Sequence, residues 1–156
     1  MHRLVASWFG TGLILRRMRG SDAGSGTVGA VFTLPLVWAL GSIGVAAQIA
    51  GFVVVAGASV VSSGQFLDES DSTKHGDPGW VVVDEAAGVL LATIGLGVPG
   101  ALVAWLVFRV ADIFKRWFPG VAQAEALGGG VGITADDLVA GLQGLAAGWA
   151  VQGLLG

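Results

Sequence analysis

Two long charge-free stretches constrain this chain more than any other feature of its sequence. Residues 23–67 carry no charge, and neither do residues 86–108. About 20 apolar residues suffice for a helix to cross the hydrocarbon core of a bilayer. Only 12% of the residues are charged, against about 25% in an ordinary soluble domain. The sequence therefore predicts an integral membrane protein, and its 27 glycines suit close helix packing in lipid.

The composition also limits the possible functions. The 156 residues are enough for one domain, and we expect a single membrane-embedded domain over 1–156. The absence of cysteine excludes disulfides, thiolate metal sites and cysteine catalysis, and two histidines are too few for a His-rich metal site. A net charge of −3 argues against a nucleic-acid partner, since binding to phosphate backbones needs a basic surface.

Breaks within the apolar blocks predict hairpins of helices. Pro35 and the region 41–44 interrupt the first block, and "GLGVPG" (95–100) interrupts the second. The piece at 84–95 spans only about 18 Å, too short to cross a ~30 Å core. We expect an all-α fold, a compact helical membrane bundle with short hairpin helices and one polar cytoplasmic face. The predicted helices lie near 28–40, 43–63, 84–95, 100–117 and 136–155, with a polar loop at 64–80.

The N-terminal region sets the predicted orientation. Its apolar stretch "LVASWFGTGLIL" (4–15) precedes the group "RRMR", whereas a signal peptide places its charges first. Residues 1–27 are therefore expected to be a retained interfacial segment. Four arginines near the first span place the polar face in the cytoplasm by the positive-inside rule: Arg3, Arg16, Arg17 and Arg19.

Charged residues cluster where the apolar segments begin or end. The three groups are Asp77, Asp84 and Glu85; Arg109, Asp112, Lys115 and Arg116; and Asp136 and Asp137. Ionisable groups at membrane depth are costly and usually functional. If both apolar blocks are hairpins, the three groups meet on one face.

The adjacent acids suggest a cation site. Asp84–Glu85 and Asp136–Asp137 offer four carboxylates without thiols, the ligands of Mg²⁺, Mn²⁺ or Ca²⁺, and Arg109 and Lys115 are matching phosphate ligands. Purely structural roles for the same residues stay open at this point. Arg109 and Asp112 share a helix face and can simply pair, and the Asp136–Asp137 pair can cap the last helix. The Gly-rich run 128–132 offers backbone amides to an anion, or is a flexible turn.

Three motifs together resemble the phosphatidylglycerophosphatase A family of bacterial membrane phosphatases. They are "DPGWVVVDEAAG" (77–88), "FRVADIFKRWFPG" (108–120) and "GGGVGITADDLVAG" (128–141). Weaker agreement extends through "FGTGL" (9–13) and "GTVG" (26–29). The resemblance implies Mg²⁺-dependent removal of the terminal phosphate from phosphatidylglycerophosphate, giving phosphatidylglycerol. It also implies a multi-pass protein of the bacterial inner membrane with its site facing the cytoplasm, a phospholipid as partner, and no particular oligomeric state.

The resemblance further implies roles for individual residues. The metal centre would use Asp84, Glu85, Asp136 and Asp137, with Asp112 as a further catalytic group. Arg109, Lys115 and Thr27 would bind the substrate phosphate, and Gly88 and Gly141 fall at close-packing positions. The chain departs from the family pattern at Ser25, at Ala30, at 116–118 and at Gly128. Two alternatives therefore stay open: a phosphatase for another lipid or a soluble phosphomonoester, and a non-catalytic membrane scaffold or ion-conducting bundle.

Overall fold

The chain forms a bundle of α-helices. The computed structural model describes residues 2–69 and 79–155, and no strand occurs within those ranges. The all-α prediction is thus confirmed. The helices of the described ranges are α1 (His2–Ala6), α2 (Ile14–Arg19), α3 (Ser25–Ile43), α4 (Val45–Glu69), α5 (Val83–Ala92), α6 (Val98–Ile113), α7 (Val121–Glu125) and α8 (Gly129–Leu155), with 3₁₀ turns at Thr11–Leu13 and Lys115–Trp117.

Three helices of the described ranges are long and apolar enough to cross a membrane: Ser25–Ile43, the Val45–Gly64 part of α4, and Gly129–Leu155. Large apolar side chains face outward along them, among them Trp38, Val54 and Leu154. A water-soluble protein rarely exposes so much contiguous apolar surface. The outward faces of these helices therefore suit contact with lipid, as expected of a membrane protein.

The first apolar block forms the predicted hairpin, but its break lies in one place only. Gly44, with φ 133°, separates α3 from α4, a backbone conformation that side chains rarely adopt. Pro35 was expected to contribute to the break and does not, because α3 continues through it. Helices in membranes tolerate proline when neighbouring groups accommodate the lost hydrogen bond.

The second apolar block is also a hairpin. α5 and α6 run for 10 and 16 residues, about 15 Å and 24 Å. Their turn is held by two glutamines: the Gly95 N–H donates to Gln48 Oε1 at 2.9 Å, and the Gly97 N–H donates to Gln152 Oε1 at 2.6 Å. α5 ends before the predicted residue 95, and α6 stops at Ile113, where the 3₁₀ turn follows.

Helix α8 is the centre of the bundle and contacts α4, α5, α6 and α7. It begins at Gly129 instead of the predicted residue 136. A side chain at Gly130 would collide with the α4 backbone, and one at Gly132 would lie 2.9 Å from the Glu125 carbonyl oxygen. Close tertiary packing thus overrides the low helix propensity of glycine. The Asp136–Asp137 pair consequently lies well inside α8, and the capping role considered for it is wrong.

The N-terminal segment is partly embedded in the bundle. Ala6 and Trp8 are buried with Val82 in one apolar cluster, and the Val82 N–H donates to the Ala6 carbonyl at 2.9 Å. In contrast, the arginines of α2 are exposed. Leu4 and Phe9 are exposed as well, so the segment is anchored by a few buried residues and otherwise has the exposure expected of an interfacial segment.

Candidate active site

The site is built on the crossing of α5 and α8. A Cβ added at Gly141 would lie 2.8 Å from the Gly88 carbonyl oxygen, so the two backbones are in direct contact. Asp84 and Glu85 lie about one helical turn before Gly88, and Asp137 lies one turn before Gly141. Glycine at the crossing brings together carboxylates that are 52 positions apart in the sequence (137 − 85).

Asp84, Glu85 and Asp137 form a carboxylate cluster, named here for these three residues. Each offers an oxygen atom, and these atoms lie within 4.8 Å of one another. Asp84 and Asp137 are buried. Glu85 Oε2 and Asp137 Oδ1 are buried and have no hydrogen-bond partner in the described part of the chain. Burial of the Glu85 carboxyl group, together with the charge of Asp84, raises the Glu85 pKa well above its usual value.

The donor set fits a hard divalent cation. Three closely spaced carboxylates repel one another in a medium of low dielectric, and buried oxygens without donors carry a desolvation cost. A cation relieves both costs at once. Oxygen ligands without sulfur or nitrogen are the preference of Mg²⁺, Mn²⁺ and Ca²⁺.

Arg109 lies beside the carboxylate cluster at the end of α6. Its Nη1 donates to Asp112 Oδ2 at 2.6 Å and its Nη2 to Thr27 Oγ1 at 3.1 Å, while its buried Nε has no partner among the described residues. The predicted pairing of Arg109 with Asp112 is therefore present. The same contacts bring the start of α3 and the end of α6 together, as the hairpin prediction requires.

Gly26 allows this approach at the start of α3. A side chain there would collide with the Glu85 carboxylate and would lie 3.3 Å from Arg109 Nη2. The next residue, Thr27, is the one that holds Arg109. The "GTVG" motif thus contributes both an open position and a hydroxyl to the same site.

Asp136 does not join the carboxylate cluster. Its Oδ2 accepts a 2.5 Å hydrogen bond from Lys115 Nζ, and its Oδ1 accepts from the Asp137 N–H at 2.9 Å. Consecutive residues of a helix point about 100° apart, so Asp136 and Asp137 serve different neighbours. The structure thus places three of the four predicted metal ligands together and gives the fourth to a lysine.

Lys115 bridges two acids. In addition to its hydrogen bond with Asp136, Lys115 Nζ donates to Glu125 Oε1 at 3.0 Å. Burial alone would lower the Lys115 pKa, but the hydrogen bonds and charges of Asp136 and Glu125 outweigh it and raise that pKa above its usual value. Lys115 is therefore a permanent cation at the edge of the site.

One predicted feature lies apart from this site, one falls outside the described residues, and one residue was missed. Asp77 lies outside the described residues. The Gly-rich run forms the first turn of α8 and packs on α4 and α7. Glu125 was missed because it lies on α7, a separate short helix, and no periodicity links it to Lys115.

Fold and site define a helical membrane protein with a buried carboxylate cluster at one end of its bundle. Beside the cluster lie two basic side chains, Arg109 and Lys115, each paired with an acid. The chain belongs to the phosphatidylglycerophosphatase A family, whose model matches residues 4–152. This confirms the resemblance drawn from the three motifs, and it places the protein in a family of lipid phosphatases.

A similar protein from Bacteroides thetaiotaomicron bears the name "Putative phosphatidylinositol-3-phosphatase". The two are 40% identical over 73 residues, which cover 42% of this chain and 43% of that protein. The chain thus aligns with less than half the length of this relative. No solved structure matches the chain.

Proposed function

We propose that this protein is a Mg²⁺-dependent phosphomonoesterase that hydrolyses phosphatidylglycerophosphate to phosphatidylglycerol and inorganic phosphate. The observation that carries the proposal is the carboxylate cluster, with three oxygens within 4.8 Å, beside the guanidinium of Arg109 in a member of this family. A cation and a phosphomonoester are the two ligands that such an arrangement satisfies.

The carboxylate cluster would hold Mg²⁺, which when bound supplies Lewis-acid stabilisation of charge on the phosphoryl group. Arg109 binds a phosphate oxygen through its free Nε–H and holds the charge that develops during transfer. Asp112 and Thr27 fix the plane of its guanidinium. Lys115 contributes a second positive charge, positioned by Asp136.

The reaction is a displacement at phosphorus by water. The water oxygen forms a bond to phosphorus, the bond from phosphorus to the glycerol oxygen breaks, and the glycerol oxygen leaves as the hydroxyl of phosphatidylglycerol. One proton leaves the attacking water, and one proton reaches the departing oxygen. Because the reacting group is the headgroup, the acyl chains stay in the bilayer throughout.

The direct test is phosphate release by the purified protein in detergent micelles containing phosphatidylglycerophosphate, with Mg²⁺ and with excess chelator. Asp84→Asn and Asp137→Asn should each lower the rate by about 10²-fold or more, since each removes a charge from the proposed metal site. Asp22→Asn is the control, because Asp22 pairs with Arg16 at 3.8 Å outside the cluster. Full activity in both cluster variants would end the metal assignment.

A second substrate is favoured by one observation. The name of the Bacteroides relative points to a lipid that carries its phosphomonoester on inositol, and the same cluster can act on that group. Parallel assays with phosphatidylinositol 3-phosphate and a soluble phosphomonoester distinguish these substrates. No release from any of them, with Mg²⁺ present, would favour a non-catalytic scaffold.

We also propose that the site faces the cytoplasm of a bacterial inner membrane. The exposed arginines of α2 lie in the segment leading to the start of α3, where Thr27 meets Arg109, and the positive-inside rule places such arginines in the cytoplasm. The chain has no cysteine, so an Arg19→Cys variant carries a single thiol. The reactivity of this thiol reports the side of the membrane on which α2 lies. Labelling of intact cells by an impermeant thiol reagent would contradict the orientation.

A further inference from the structure

A recess opens beside Lys115, outside the carboxylate cluster. It lies between residues 113–117 on one side and Ala122 and Glu125 of α7 on the other, with a volume of about 340 Å³. This size is at the lower end of the range of about 300–1,000 Å³ that is usual for small-molecule sites. Lys115 lines the recess and also contacts Asp136, so the recess adjoins the site through this side chain.

Arg116 is the unpaired cation of this recess. Its neighbour Lys115 is engaged by both Asp136 and Glu125, whereas Arg116 is exposed and forms no ion pair with any residue in the described ranges. A guanidinium offers paired N–H donors that match two oxygens of a phosphate. The recess therefore presents an unfilled anion ligand next to the proposed phosphomonoester site.

The rim of the recess is aromatic and exposed. Trp117 is 81% exposed, and its ring stacks on that of Phe114 with centroids 5.4 Å apart. Aromatic rings with this exposure in a membrane protein favour the interface between headgroups and acyl chains. A cation beside such rings lies at the depth of lipid phosphates.

We propose that this recess binds the part of the lipid substrate between the reacting phosphate and the acyl chains, and that Arg116 recognises its phosphodiester. This inference rests on the proposed lipid phosphatase activity. The substrate carries two phosphate groups joined through a short polyol. With the phosphomonoester at the carboxylate cluster, the phosphodiester lies one short polyol away, and Arg116 lines the recess that adjoins the site through Lys115. The recess thereby selects lipids with a phosphodiester over those without one.

The kinetic test compares Arg116→Gln with Arg19→Gln, a matched change of an exposed arginine on α2. The substrates are phosphatidylglycerophosphate and phosphatidylinositol 3-phosphate, which carry a phosphodiester, and phosphatidic acid, which does not. For the first two, Arg116→Gln should raise KM about tenfold with kcat within about twofold, the effect of a lost charge-assisted hydrogen bond. The preference for these lipids over phosphatidic acid should fall by a similar factor, and Arg19→Gln should keep it. An unchanged KM in Arg116→Gln overturns the inference.

A binding experiment needs no turnover. Calorimetric titration with phosphatidylglycerol in neutral detergent micelles measures recognition of a phosphodiester without a phosphomonoester. Arg116→Gln should bind about tenfold more weakly than the unaltered protein and Arg19→Gln equally well; equal binding by all three overturns the inference. If phosphatidylinositol 3-phosphate is the only lipid hydrolysed, the proposed substrate is wrong, while a raised KM in Arg116→Gln still supports the role of Arg116.

Discussion

Lys115 Nζ and Asp136 Oδ2 are 2.5 Å apart and join the 3₁₀ turn that follows α6 to the first third of α8. The acidic doublet 136–137 thus has two different environments. Asp137 belongs to the carboxylate cluster, and Asp136 pairs with Lys115 at its edge. The two neighbouring aspartates should therefore differ in what their removal does to the enzyme.

The first prediction concerns this difference. Asp137→Asn should lower metal affinity and activity by about 10²-fold or more, because the proposed metal site would lose one of its three carboxylates. Asp136→Asn should leave the Mg²⁺ concentration for half-maximal activity within about threefold and lower kcat/KM by about tenfold, the scale of losing an outer-shell partner. Mg²⁺ activation curves for both variants measure these values. Equal losses of Mg²⁺ affinity would return Asp136 to the metal site.

A second prediction follows from the buried oxygens of Glu85 and Asp137. Because a bound cation relieves their desolvation, Mg²⁺ at 100 times its dissociation constant should stabilise the protein by about 2.7 kcal/mol. Thermal unfolding in detergent, with Mg²⁺ and with chelator, measures the shift. Asp84→Asn should reduce this shift while Asp22→Asn retains it. If Mg²⁺ leaves the melting temperature of the unaltered protein unchanged, the carboxylate cluster does not bind this cation.

A third prediction concerns the opening at Gly26. Gly26→Ala should displace the Glu85 carboxylate, with which the added Cβ would collide, and crowd Arg109 Nη2, which would lie 3.3 Å from it. We expect activity to fall by at least about tenfold, the effect of displacing a catalytic group. Gly57→Ala is the matched control, because nothing lies within 4 Å of a Cβ there. Normal activity in Gly26→Ala would show that the site adjusts without cost.

Hydropathy and the Gly- and Pro-containing breaks of the apolar blocks predicted that Asp84 and Arg109 would lie at the same end of the bundle. The interruption at 95–100 predicts a hairpin. In a hairpin, Arg109 near the end of α6 lies close to Asp84 near the start of α5. The motif resemblance supplied the residue set independently. Both therefore led to the same end of the bundle.

Several features of the fold depend on packing that no single-sequence pattern displays. The start of α8 at Gly129 follows from backbone contacts of glycines with α4 and α7, against their intrinsic propensity. The separation of Asp136 from the carboxylate cluster follows from the rotation of α8 about its axis. Pro35 also shows that a strong breaker in water can be tolerated inside a membrane helix.

The crossing of α5 and α8 gives a fourth prediction. Gly141→Ala should destabilise the protein by about 1–3 kcal/mol, the usual cost of overpacking, because the added Cβ would lie 2.8 Å from the Gly88 carbonyl oxygen. Activity should fall as well, since the same crossing aligns Asp137 with Glu85. Gly153→Ala on the same helix has no atom within 4 Å and should lose neither stability nor activity. Thermal unfolding and phosphate release decide between these outcomes.

The last prediction concerns the α5–α6 turn, which lies at the end of the bundle opposite the carboxylate cluster. A change there should alter stability without altering the proposed chemistry. Gln48 is buried and accepts the Gly95 N–H at 2.9 Å, so Gln48→Leu leaves a backbone donor without its partner in the α5–α6 turn. An unsatisfied buried donor costs about 1–3 kcal/mol; the Gly95 N–H is partly buried, so we expect the lower end of this range and a lower unfolding temperature. Because the turn lies at the far end of α5 from Asp84, the Mg²⁺ dependence and KM of the folded fraction should stay within about twofold. Gln143→Leu is the control, since the half-buried Gln143 donates a solvent-exposed hydrogen bond to the Pro119 carbonyl outside this turn. A changed Mg²⁺ dependence in Gln48→Leu would mean that the turn of the hairpin is coupled to the carboxylate cluster.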